Sequence, residues 1–153
     1  MNIQRLEMMK QMMGRVVAGS WEPVLTLPRN ERFISEVTKI TVTSVDLKSW
    51  SDHKTGRPNN TCGFSACAVG HACFDEEFRK LGWEWDGAQP KFGSETGIEA
   101  SATFFDITKH QAKRLFMPES YMGADKHREL PANVREAKMV ADRIQKLINT
   151  GRI

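Results

Sequence analysis

Three cysteines and a histidine lie between positions 62 and 73, within the stretch Asn60 to Trp85 that also holds two of the four tryptophans. Cys67 and His71 are spaced i, i+4, which on a helix brings a thiolate and an imidazole within reach of one ion. Cys62, and His53 from the preceding polar loop, would complete a set of two sulfurs and two nitrogens suited to zinc. Four residues intervene between Cys62 and Cys67, wider than a tight two-residue knuckle. A second chemistry is nucleophilic. Cys62 stands at or before a helix start, where backbone N–H groups lower a thiol pKa, and His71 would serve as its base. The third reading is structural: Cys67, His71, Phe74, Phe78 and Leu81 recur in steps of four and three, one face of a helix from about Ser65 to Leu81. Cysteine is among the most buried residue types, so this stripe reads as core. His71 then anchors the 53–62 loop through a hydrogen bond and does no chemistry.

The elements that must position this stretch follow from periodicity and punctuation. Ile3, Leu6, Met9, Met13, Val16 and Val17 make a helix that Gly19 stops. Residues 1–20 read as an appended, Met-rich amphipathic helix. Met8, Met9, Met12 and Met13 offer the flexible thioether surface that suits an adaptable partner contact, against the plainer reading of methionine as core filler. Pro23 and Pro28 mark an extended linker, Ile40 to Val45 alternates as a short strand, and Asp46 to Trp50 suggests a turn of helix. Gly82 ends the central helix. Trp83 to Gly97 is irregular and pinned by aromatic side chains, with room for a strand around Phe92. Thr96 with Glu99 and Thr108 with Gln111 match the capping-box spacing, placing helices at about 97–105 and 109–116, the second stopped by Pro118. Val134, Ala137, Val140, Ile144, Leu147 and Ile148 stripe a last helix that Thr150-Gly151 closes.

These elements give a mainly α fold of four to five helices with a minor β element, in a single compact domain of 153 residues. Forty per cent hydrophobic and 27 per cent charged residues exclude global disorder and fibrous classes. No apolar run approaches the roughly 20 residues that span a bilayer. Arg5, Glu7 and Lys10 interrupt any signal-peptide core, so a cytoplasmic protein without a membrane partner is expected. An odd cysteine count argues against a disulfide framework. The net charge of +3 is uneven. Residues 61–100 carry three Lys/Arg against seven Asp/Glu, and residues 101–153 carry ten against six. Lys109, Lys113 and Arg114, with Lys126 and Arg128, are candidates for phosphate contact, extended by Lys138, Arg143 and Lys146. Glu84, Asp86, Glu95 and Glu99 read as a solvated acidic surface before they read as paired catalytic carboxylates, and the sequence holds no phosphate-binding Gly-rich loop, dinucleotide fingerprint or H-E-x-x-H motif.

The pattern Cys62-Gly63, Cys67, Gly70-His71-Ala72 resembles a C-G-x-x-x-C-x-x-G-H-A motif of small uncharacterised bacteriophage and prophage proteins. Phe104 to Pro118, FFDITKHQAKRLFMP, is similar to a segment that often follows in them, and a final helix like Val134 to Gly151 commonly closes them. The resemblance covers about half the chain and implies a phage origin and the cytoplasm of a bacterial host. It carries no activity. The expected function is a non-enzymatic binding protein that docks on a host or phage macromolecule, most simply a protein. The alternatives are a nucleic-acid-binding module, with or without zinc, and a Cys/His hydrolase or transferase. No cofactor other than zinc is suggested.

Overall fold

Asn2 opens the first helix by accepting the Arg5 N–H at 3.1 Å on its side-chain oxygen, and Gly19, in the left-handed region at φ 72°, closes it. In the computed structural model this helix, α1, runs Ile3–Ala18. The structure describes residues 1–21, 68–86, 89–117, 120, 129–130 and 134–153, and the backbone alone of 42–45, 64–66 and 132–133. The remaining elements are β1 (Val42–Val45), β2 (Phe64–Ala66), α2 (Ala68–Ala72), α3 (Glu76–Lys80), β3 (Trp83–Trp85), β4 (Pro90–Phe92), β5 (Glu95–Thr96), α4 (Gly97–Phe105), α5 (Lys109–Phe116) and α6 (Ala132–Thr150). The described chain is mainly helical, with a small three-stranded antiparallel sheet, around one core. The linker from Glu22, the Asp46 to Trp50 turn and the loop carrying His53 lie outside the described residues.

The long amphipathic helices at the two ends of the chain pack side by side, α1 against α6, and bury Leu6, Met9, Met12, Met13 and Val16 on one side with Ala137, Val140, Ile144 and Leu147 on the other. The partner surface expected of the methionines is corrected here. Met9, Met12 and Met13 are fully buried and Met8 is partly exposed, as suits unbranched thioethers, which fill irregular gaps in a core. α1 is thus a core helix rather than an appendage.

The helix expected from Ser65 to Leu81 is interrupted. Ser65 pairs in a short parallel ladder, Phe64 to Ala66 beside Val42 to Val45, and α2 ends in tight turns in which Cys73, Phe74 and Asp75 N–H groups donate to the carbonyls three residues back. Asp75 then takes extended backbone, φ −90° and ψ 130°, and caps α3 by accepting the Glu77 N–H. The stripe survives the break at His71, Phe74 and Phe78, all buried, but not at Leu81, which is 40% exposed. Leu81 follows the last turn of α3, where the helical phase has ended. Cys67 lies outside the described residues.

After Gly82, at φ 87°, β3, β4 and β5 form the antiparallel sheet, pairing Trp83 with Phe92 and Phe92 with Glu95. Trp83 is fully buried and donates its indole N–H to the Val69 carbonyl at 3.0 Å, fastening the sheet to α2. Trp83, Phe78, Phe92 and Phe105 surround Phe104, so α4 is the hub on which the sheet and α3 meet.

Candidate nucleic-acid interface

The site grows from the segment Ile107 to Met117. Thr108 and Gln111 form the expected capping box: the Gln111 N–H donates to Thr108 Oγ1 at 3.1 Å, and the Thr108 N–H donates to Gln111 Oε1 at 3.0 Å. The box at Thr96 does not form, since Thr96 makes no side-chain cap bond and Glu99 pairs with Lys109 at 3.0 Å instead. Because Thr108 is exposed and its hydroxyl serves this cap, Thr108→Ala should lower unfolding stability by about 1 kcal/mol in denaturant titration. A loss above about 2 kcal/mol would show that Thr108 holds more than the cap.

From this start α5 turns Ala112, Leu115 and Phe116 into the core, with Phe116 5.5 Å from the Phe105 ring. The outward face carries Lys109, His110, Lys113 and Arg114, all exposed. α6 holds the other side of α5. Gln111 Nε2 donates to the Gly151 carbonyl at 3.1 Å, and the Arg143 guanidinium donates to the Arg114 and Ser120 carbonyls. Arg143 therefore satisfies an end carbonyl that α5 cannot pair within itself. It acts as a tether rather than as part of a free cationic patch. Lys146 follows one turn after Arg143, on the same flank of α6, and is exposed, as is Arg152.

No acidic residue occurs in 107–118 or in 143–153. Among the described residues, the Glu99 carboxylate is engaged with Lys109 and that of Asp106 with the amino terminus at 2.8 Å. The hydrogen bond from Lys109 holds the Glu99 carboxyl below its usual range, and the bond from the terminal ammonium does the same for Asp106. At neutral pH both are ionised and partnered, and Lys113, Arg114, Lys146 and Arg152 are the exposed cations of the two segments. Lys138, expected to extend the patch, pairs instead with Asp142 at 2.7 Å. It lines a shallow groove of about 420 Å³ between α1 and α6, floored by Gly14, Val17 and Ala141. Lys126 and Arg128 lie outside the described residues. His110 went unnoticed in sequence, although its i, i+4 relation to Arg114, opposite the Ala112, Leu115, Phe116 stripe, was there to find.

Of the cysteine–histidine set, the structure describes only His71; His53, Cys62 and Cys67 lie outside the described residues. His71 is fully buried, with its ring 4.9 Å from that of Trp21. The nearby Asp75 carboxylate accepts from Arg15 at 2.6 Å and from the Trp21 indole at 3.0 Å, besides its cap bond. These bonds tie the start of α3 to Arg15 and Trp21. The Cys73 thiol is buried and donates to the Val69 and Glu84 carbonyls. No group of three or more metal-ligating side chains occurs among the described residues, and no described helix is long and apolar enough to cross a membrane. No protein-family model matches the chain, and neither the curated proteins nor the solved structures yield a match.

Proposed function

We propose that this is a non-enzymatic binding protein that docks on nucleic acid through the basic face of α5 and the adjoining end of α6. The observation that carries this reading is the exposed set Lys113, Arg114, Lys146 and Arg152, on two segments free of acidic residues. Phosphates are the partner such a face suits, because each neutralising cation releases a condensed counterion and gains entropy. A protein partner was the first expectation, but the methionines that would have served it face the core.

Fluorescence anisotropy with a labelled 20-base-pair probe tests the reading. If about four phosphates are neutralised, the logarithm of affinity falls with the logarithm of salt at a slope of about −3 to −4, roughly a hundredfold between 50 and 200 mM. Lys113→Glu with Arg114→Glu should weaken binding at least tenfold and flatten that slope by about two. Binding that ignores salt, or no binding at 50 mM, would remove the proposal.

A further inference from the structure

Resting on that reading, we propose that α4, the turn Asp106 to Thr108 and α5 form a helix–turn–helix whose second helix enters the major groove of duplex DNA. The connection is three residues long, between a helix of nine residues and one of eight. Its first residue, Asp106, adopts φ 50° and ψ 53°, the left-handed conformation that lets the chain reverse at once after a helix. The Asp106 and Ile107 N–H groups return to the Thr103 and Ala102 carbonyls, so the turn is fixed by α4 itself. Small buried side chains, Ala102 on α4 and Ala112 on α5, leave room for the two helices to approach closely.

The outward geometry of α5 then matches a groove rather than a flat phosphate surface. An α-helix is about 10–12 Å across with its side chains, which matches the roughly 12 Å width of the B-form major groove, and eight residues at 1.5 Å each lay about 12 Å of it along the groove. His110 and Arg114 stand opposite the buried stripe and would face base edges, where arginine pairs with the guanine O6 and N7 acceptors. Lys109 and Lys113 lie on the flank toward α4, marked by the Glu99 contact. Lys146 and Arg152 lie on the flank toward α6, marked by the Gln111 to Gly151 bond. Cations on both sides of a neutral-to-basic ridge suit the two phosphate walls of one groove. A deep, narrow A-form major groove does not admit such a ridge.

The test uses the full chain and three labelled probes of equal length: duplex DNA, duplex RNA and single-stranded DNA, at one salt concentration. Duplex DNA should bind at least tenfold tighter than either other probe. Dimethyl sulfate footprinting on the bound duplex should protect guanine N7 in the major groove and leave adenine N3 in the minor groove reactive. Arg114→Ala and His110→Ala, both at exposed positions, should erase sequence preference in a selection from random duplexes. Lys146→Ala should weaken all duplexes alike. Equal affinity for the three probes, or protection confined to adenine N3, would overturn the helix–turn–helix while leaving the basic-face reading intact. Failure to bind any probe at low salt would remove both.

Discussion

Phe104→Ala is expected to cost about 3–5 kcal/mol of unfolding free energy, the usual range for deleting a buried phenyl ring. The position justifies the range. Phe104 is fully buried, and its ring meets Trp83 at 4.9 Å, Phe92 and Phe105 at 5.0 Å and Phe78 at 5.6 Å. Arg5 adds a guanidinium 4.4 Å from the ring centroid and donates to the Phe104 carbonyl at 2.7 Å. Removing the ring therefore opens a cavity where β3, β4, α3 and α4 converge, and it deletes edge-to-face pairs worth about 0.5–1.5 kcal/mol each beyond area. Equilibrium urea unfolding reads the loss directly, and at about 2–4 °C per kcal/mol the melting temperature should fall by roughly 10 °C. Phe104→Leu, which keeps most of the volume, should lose much less. A loss under about 1 kcal/mol for the alanine variant would mean the aromatic cluster is not the centre of the core. Because Phe105 and Phe116 hang α5 on this cluster, the alanine variant should also loosen the basic face. Nucleic-acid affinity is then expected to fall at temperatures well below the melting point.

Where the sequence was legible, the reason is local. Thr108 with Gln111 starts α5, Gly19 ends α1, and Gly151 follows the end of α6, each by hydrogen bonds or dihedrals that involve only neighbours in the chain. The stripe of α6 likewise names its own inward residues. The rest depended on distant partners. Periodicity identified the methionine face of α1, but whether that face is covered is decided by α6, more than a hundred residues later. The stripe through Leu81 assumed an uninterrupted helix, and the interruption at Asp75 is set by residues 54 and 60 positions away. β2 occupies the expected start of the central helix at about Ser65, because Phe64 to Ala66 finds a parallel partner in Val42 to Val45. For the candidate site, the cations of α5 were visible as a run, whereas the pairing of Lys138 with Asp142 and the tethering role of Arg143 needed the packing of α5 on α6.

The Asp75 carboxylate supplies the second large effect, and the physics behind it differs from that of Phe104. Its side chain is 5% exposed, and it serves three donors: the Glu77 N–H at the start of α3, the Arg15 guanidinium and the Trp21 indole N–H. Asp75→Ala should lower stability by about 2–4 kcal/mol. Loss of the cap accounts for about 1 kcal/mol. A buried indole N–H without an acceptor adds about 1–3 kcal/mol. Arg15 contributes little, because it is 42% exposed and can turn to water, which screens the pair. That ordering is testable. Asp75→Asn keeps Oδ1 for the cap but turns an amide NH2 toward the indole and guanidinium donors that shared Oδ2, so it should recover at most the cap, about 1 kcal/mol, relative to alanine, and Arg15→Met should cost less than about 1 kcal/mol. If Arg15→Met cost as much as Asp75→Ala, the ion pair with Arg15 would outweigh the cap and the indole. Trp21→Phe in the Asp75→Ala background separates the remaining two terms: with the indole donor gone, the alanine substitution should cost only the cap. The break in the central segment exists because Asp75 is held from α1. Releasing it frees both the start of α3 and the Trp21 ring that lies against His71.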